Sequence, residues 1–228
     1  MRAVDVAYER KWTVRAVKAL VKLYAAGYQR RRVLVPCPLP DEGPALVAAN
    51  HTAGIDPLVI QSTCDRPIIW IMDKAYYEQP GIKQVMKWAE MIPIDRENPD
   101  STAWRAAMKM LKKGRIVGVF PEGRIERERT LMPFQSGVAM LAANQGVPFY
   151  PCFLDGRQRN KSMLRCFFLP QRPSVAWGEK LAVAKSKLKR DGMEALTTEL
   201  RNRVEALRLQ YPAPGMQPAE GDGHVPVD

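Results

Sequence analysis

Short apolar runs alternate along the chain with segments of helical spacing. Ala45–Ala49, Pro67–Met72, Arg115–Phe120 and Val147–Leu154 read as strands. Between them, Leu58–Thr63, Asp73–Tyr77, Ile82–Ala89, Ser101–Lys113 and Phe134–Asn144 read as helices. Ser101–Lys113 is the clearest, with lysines in its last turn and Gly114 closing it. Met91–Arg96 reads as a short extended piece, Phe167–Leu169 and Ser174–Trp177 as edge strands, and Met193–Leu209 as a final charged helix. Helices alternating with short strands predict an α/β fold with a mostly parallel central sheet flanked by helices. Ligands of such sheets collect beyond the strand C-termini, where His51, Arg96 and Glu122 all stand.

The N-terminal stretch follows a different pattern. Asp5–Arg32 contains no Pro and a single Gly27, so it reads as one or two helices. Lys11, Arg15, Lys18 and Lys22 make a cationic stripe, while Tyr8, Trp12, Val17, Leu20, Leu23 and Tyr24 fall on neighbouring and opposite faces. Such an amphipathic helix suits an anionic bilayer interface, and it equally suits packing on the domain with a solvated basic face. Pro36, Pro38, Pro40, Gly43 and Pro44 then break the chain. The expected organisation is an N-terminal helical segment over 1–35, a main domain over 45–210 and a disordered Pro/Gly/acidic tail over 211–228. Arg157, Arg159, Lys161 and Arg165 mark a basic loop, and Glu126–Arg129 a solvated charge run.

Charge and composition narrow the function classes. The 228 residues hold 35 Lys and Arg against 24 Asp and Glu, for a net charge of +11, and nine of those cations lie in residues 1–35. An anionic partner is implied: a phospholipid surface, nucleic acid or an acidic carrier protein. The sequence contains neither a secretory h-region nor an apolar stretch approaching the ~18 residues of a membrane span. Cys37, Cys64, Cys152 and Cys166 are widely separated, which suggests neither a zinc site nor a disulfide framework. Reduced thiols in a cytoplasmic protein are expected.

Only two histidines occur, and His224 lies in the tail, so chemistry needing a neutral imidazole near pH 7 falls to His51. Asp56 follows five residues later, directly before Pro57, as an N-cap before Pro at N1. The turn between them can bring the carboxylate to the imidazole, fixing its tautomer while the other nitrogen takes a proton from a hydroxyl. Equally, His51 can simply end a strand and Asp56 simply cap a helix.

Four blocks stand in order: Asn50-His51-Thr52-Ala53-Gly54-Ile55-Asp56, Ile92-Pro93-Ile94-Asp95-Arg96, Phe120-Pro121-Glu122-Gly123-Arg124 and Val147-Pro148-Phe149-Tyr150-Pro151. Together, over roughly Ala45 to Gly156, they resemble the glycerolipid acyltransferase family of lysophosphatidate acyltransferase-like enzymes. The resemblance implies His51 as general base oriented by Asp56, acting on a glycerol hydroxyl that attacks an acyl thioester. It implies Arg96 as a phosphate-holding cation of the acceptor, where a surface arginine paired with Asp95 or Glu97 is the plainer alternative, Glu122 as an acceptor-orienting or structural carboxylate beside Gly123 in the third block, and Arg124 as a further phosphate ligand. Lys74 falls where many members keep a lysine, and an ordinary helix-surface lysine fits it as well. The implied donor is acyl-CoA or acyl carrier protein and the implied acceptor a lysophospholipid, foremost 1-acylglycerol 3-phosphate, with no metal and no bound cofactor. Two departures touch the acceptor: Arg124 directly follows Gly123 where the family usually has a threonine between, and Ala89-Glu90 replaces a glycine common before the second block.

The expected location is cytoplasmic, peripheral at the inner face of the membrane and docked by the basic helix. Glycerol 3-phosphate, another lysophospholipid or a lyso-aminolipid are alternative acceptors. A non-catalytic basic module for membrane or nucleic acid is disfavoured, because the cations cluster on one helix and the aromatic-and-basic blocks of RNA modules are missing. The histidine count argues against a metal-dependent hydrolase.

Overall fold

The computed structural model describes residues 12–96, 101–125, 130–156, 163–170 and 172–212. Its strands are β1 (Arg32–Val35), β2 (Ala45–Ala49), β3 (Ile68–Asp73), β4 (Ile92–Ile94), β5 (Ile116–Val119), β6 (Phe149–Asp155) and β7 (Ser174–Trp177). They form one sheet in the order β1-β7-β6-β2-β5-β3-β4. β2 pairs in parallel with β5 and β6, and β3 in parallel with β5 and β4; β7 runs antiparallel to β6. The mostly parallel sheet flanked by helices is the architecture that the hydropathy pattern predicts.

Every residue of β2, β5 and β6 is buried, as parallel strands covered on both faces require. Alternate residues feed two cores. Leu46, Ala48, Val117, Val119 and Phe149 pack under α5 (Thr102–Lys112), α6 (Gly137–Gln145) and α8 (Arg190–Gln210). On the other face Val47, Ala49, Trp70, Tyr150 and Cys152 pack with Val59 and Ile60 of α2 (Asp56–Gln61). α5 buries Ala103, Ala107 and Leu111, a stripe at i, i+4 and i+8. The remaining helices are α1 (Trp12–Leu23), extended by a π-helical turn at Tyr24–Tyr28, α3 (Lys74–Tyr77), α4 (Ile82–Trp88) and α7 (Met163–Phe168).

Several local expectations change. Arg32–Val35 is an edge strand, parallel to β7, where the sequence pattern marks the end of a helical segment. Phe167–Leu169, read as strand from its aromatic run, instead closes α7, because Tyr24 and Tyr28 donate their hydroxyls to the carbonyls of Phe167 and Phe168 and hold that chain end against the π-turn. Asp56 does not cap α2: the N-cap is Ile55 and no side chain accepts there. The cationic stripe is partly turned inward, with Lys22 Nζ 2.7 Å from Asp65 Oδ1 and Lys18 on the Asp65 carbonyl. Trp12, Leu20 and Leu23 face outward, 78%, 64% and 69% exposed. Residues 1–11, the charge run Glu126–Arg129, the basic residues 157–162 and the tail from 213 lie outside the described residues.

Candidate active site

Beyond the last residue of β2, Asn50 continues the sheet with its side chain. Its Nδ2 donates to the Leu154 carbonyl and its Oδ1 accepts from the Leu154 N–H, both at 2.8 Å. That pair fastens the strand end to β6 and fixes where the chain turns at His51.

Asp56 fills the inside of the turn. Its Oδ2 accepts the N–H groups of Thr52 at 2.6 Å and Ala53 at 2.8 Å, and Oδ1 accepts the Thr52 hydroxyl at 3.2 Å. His51 Nδ1 stands 3.0 Å from Oδ2. A carboxylate occupied by backbone donors can only accept, so Nδ1 carries the hydrogen and Nε2 is left with a lone pair. Asp56 is 3% exposed and the His51 side chain 16%, so water competes little for this contact.

Aromatic packing sets the ring plane. Phe120 stacks on His51 with centroids 4.2 Å apart, and Trp70 stacks on the other side of Phe120 at 4.6 Å. Trp70 lies directly opposite Gly118 in the β3–β5 register, and a Cβ there would stand 2.6 Å from the indole. The missing side chain at Gly118 makes room for the stack. Neither Phe120 nor Trp70 was among the sequence candidates: the only cue was Phe120 opening the third block, and its partner lies 50 positions earlier.

Glu122 reaches back beneath the same turn. Its Oε1 accepts the His51 N–H at 3.1 Å and its Oε2 the Met132 N–H at 3.2 Å. It is buried and braces the backbone, and it does not line the cavity. Gly123 has φ +72°, and a Cβ there would meet the Gln135 amide at 2.4 Å, so the tight turn after β5 needs glycine on both counts.

His51 opens onto a cavity of about 770 Å³. Arg96, Arg124 and Gly123 line it as well, and so do the apolar Met86, Met91, Ile94, Trp104 and Val138. Arg96 Nε is 3.3 Å from Asp73 Oδ2, and Arg124 Nε lies 3.2 Å from Met132 Sδ. Lys74 is outside the lining and pairs with Asp95 at 3.3 Å. The structure therefore brings together His51, Asp56, Arg96, Gly123 and Arg124, places Glu122 behind them, and leaves Lys74 on the surface. An imidazole with a free nitrogen, two arginines and an apolar wall suit a substrate with a hydroxyl, an anionic group and a long apolar chain. Among the described residues, no helix is long and apolar enough to cross a membrane.

A family model described as acyltransferase matches residues 30–155. The chain is 25% identical over 172 residues to the 1-acyl-sn-glycerol-3-phosphate acyltransferase of Bacillus subtilis (strain 168), covering 74% of this chain and 83% of that protein. It is 30% identical over 115 residues to the chloroplastic 1-acyl-sn-glycerol-3-phosphate acyltransferase BAT2 of Brassica napus, covering 50% of this chain but only 33% of that longer protein. The crystal structure of the 1-acyl-sn-glycerophosphate (LPA) acyltransferase PlsC from Thermotoga maritima superposes with a TM-score of 0.69 over 92% of this chain and 85% of that one, at 20% identity. At that identity the superposition establishes the fold.

Proposed function

The chain belongs to the acyltransferase family, whose model covers more than half of its length, and from that premise we propose that it transfers a fatty acyl group from an acyl thioester to the free hydroxyl of 1-acylglycerol 3-phosphate. The similar proteins from Bacillus subtilis and Brassica napus carry that acceptor in their names. Acyl-CoA and acyl carrier protein are the two thioesters that suit a basic surface. The observation that carries the reading is the 3.0 Å contact between His51 and a backbone-held Asp56 at the wall of a cavity that also contains two arginines.

In this reading Asp56 holds the Nδ1–H of His51, and Nε2 takes the proton of the acceptor hydroxyl as its oxygen attacks the thioester carbonyl. The tetrahedral intermediate collapses with cleavage of the C–S bond. The departing thiolate collects the proton from the imidazolium, giving an ester and a free thiol. No side-chain nucleophile is required, and no cysteine is among the described lining residues. The step as written uses no metal ion and no resident cofactor.

Arg96 and Arg124 are assigned to the acceptor phosphate. Arg96 already has a carboxylate partner in Asp73, so phosphate binding exchanges one charge-assisted bond for a stronger bidentate one. Glu122 acts on the backbone of His51 and keeps the base at its station. The apolar wall formed by Met86, Met91, Ile94 and Trp104 receives acyl chain. The protein docks peripherally on the cytoplasmic face of an anionic membrane, with Trp12, Leu20 and Leu23 of α1 entering the interface and Arg30 and Arg32 meeting headgroups.

The test is thiol release from long-chain acyl-CoA, and separately from acyl carrier protein, with lysophosphatidate dispersed in detergent. Wild type is expected to release thiol only with acceptor present, and His51→Ala to lose on the order of 10²–10⁴ in rate while melting like wild type. Acceptor-dependent release that survives His51→Ala refutes the base assignment. Release that responds only to another lyso-lipid moves the proposal to that acceptor.

A further inference from the structure

We infer that Cys37 and Cys64 form a peroxide-responsive thiol pair, oxidised to an intramolecular disulfide that ties the β1–β2 connection to the turn seating α1. This goes beyond the acyl-transfer reading and does not depend on it. The two Sγ atoms lie 3.4 Å apart, in hydrogen-bond contact, although 27 positions separate the residues. Oxidation has to close that gap to the length of a disulfide, roughly 2 Å.

The two thiols are unlike in a useful way. Cys37 is half-buried, in the Pro-rich connection between β1 and β2, where a small oxidant can reach it. Cys64 is buried against Val59, Ile60 and Trp177. The hydrogen-bond contact with Cys64, assisted by the Leu39 backbone, holds the Cys37 thiol below its ordinary range despite some burial, while Cys64 Sγ donates to the Ile60 carbonyl. Burial drives Cys64 well upward, with Cys37 adding to the effect. Cys37 is thus the thiolate that meets oxidant, and Cys64 the resolving thiol that keeps its proton until the bond forms.

The chemistry balances with a hydroperoxide as oxidant. The Cys37 thiolate attacks one oxygen of hydrogen peroxide, the O–O bond breaks, and hydroxide leaves to become water. Cys37 is now a sulfenic acid. Cys64 sulfur attacks the Cys37 sulfur, the S–O bond breaks, and the Cys64 proton departs with the leaving hydroxide as a second water. Two thiols have lost two electrons and one peroxide has gained them.

The bond would fall at a place that matters mechanically. The turn Ser62–Asp65 receives Arg31 on the Ser62 carbonyl at 3.2 Å and both Lys22 and Lys18 on Asp65. Cross-linking Cys64 to Cys37 joins that anchorage to the chain entering β2, and so to the strand that leads into His51.

Cleavage after Lys and Arg, with Arg66-Pro67 resistant, leaves both residues in one peptide, Val33–Lys74, which contains no other cysteine. The full chain, reduced and then exposed to a modest excess of hydrogen peroxide, is alkylated in denaturant and digested. The expected result is a Val33–Lys74 peptide two hydrogens lighter that takes up no alkylating agent until reduced. Further cleavage after Glu42 should give two fragments that separate only on reduction, while Cys152 and Cys166 alkylate fully. The oxidised protein should melt about 5–10 °C higher, reversibly with dithiothreitol, as a loop of this length predicts. Cys37→Ser, melting like the reduced protein, should leave Cys64 alkylatable after the same treatment. The inference is overturned by oxygen added to Cys37 with Cys64 still free, by thiols that stay reduced, or by an equal loss of Cys64 thiol in Cys37→Ser.

Discussion

The turn from His51 to Asp56 and the outer helix α1 are held in opposite ways. In the turn, buried polar groups answer one another: Asp56 takes two backbone N–H groups, a hydroxyl and the imidazole, Glu122 takes the His51 N–H, and Asn50 ties the strand end to β6. α1 touches the domain through Val14 and through lysines on an exposed aspartate, and turns Trp12, Leu20 and Leu23 to solvent. Low dielectric makes the first set of bonds strong and costly to break, whereas water and salt screen the second. The proposed proton transfer needs an imidazole fixed to a fraction of an ångström, and the proposed docking needs a helix that can adjust to a soft surface.

The comparison breaks most easily at Asp56. In Asp56→Asn the side-chain volume is kept, but one oxygen becomes an NH₂ that cannot accept from Thr52, Ala53 or the imidazole. Oδ2 takes the Thr52 and Ala53 N–H groups and also faces Nδ1, so an NH₂ in its place opposes both backbone donors and favours the tautomer with the hydrogen on Nε2, while an amide oxygen there keeps those bonds without the negative charge that stabilises the imidazolium. The expected loss in kcat is on the order of 10³–10⁴, by the precedent of a carboxylate that orients a catalytic imidazole. Thiol-release kinetics on folded variant protein check this, and a loss below tenfold means that Asp56 does not orient the ring.

The outer helix is sharpened by a change that leaves the turn alone. Leu20→Gln together with Leu23→Gln keeps helix propensity and charge while removing two large apolar side chains from the exposed face. Binding to vesicles with anionic headgroups should fall about 10–100-fold, the equivalent of losing roughly half of two full leucine burials. Turnover on detergent-dispersed substrate should change little. Co-sedimentation equal to wild type would mean that lipid meets another face.

What was legible in the sequence divides along similar lines. β2, β5 and β6 announce themselves as apolar runs because a strand covered on both faces has no polar side to show. His51 stood out through the scarcity of histidine, and Asp56 through its spacing. Asp56 has the residue type and position of a helix cap without being one. A carboxylate at a helix start accepts N–H groups, and this one does, but from Thr52 and Ala53 on its N-terminal side instead of the first turn of α2. The stack of Trp70 on Phe120 was not legible, since it depends on the register that sets Trp70 across from Gly118. Arg32–Val35 escaped notice as a strand because its residues are largely exposed and lie between an arginine run and prolines. Phe167–Leu169 looked like a strand by composition, and tyrosine hydroxyls from a segment about 140 positions earlier made it the end of a helix.

The smallest effect is the pH response of the α1 anchorage. The hydrogen bond from Lys22, and then its charge, hold the Asp65 carboxyl below the ordinary carboxylate range. A carboxyl lowered on folding adds stability that is complete above the unfolded value near 4, and that is lost as the pH falls through the folded value. Asp65→Asn should therefore melt slightly below wild type at pH 7 and the two should converge in acid below about pH 4. Because the pair is solvent-exposed, its contribution is under about 1 kcal/mol, or some 2–4 °C in a chain of this size, and most of it should vanish in molar salt. The contact of Lys18 with the Asp65 carbonyl survives the substitution, which limits the loss further. A difference that does not shrink as the pH falls below the ordinary carboxylate range, or that ignores salt, would place the contribution of Asp65 in packing and erase the contrast between a screened outer helix and the buried turn from His51 to Asp56.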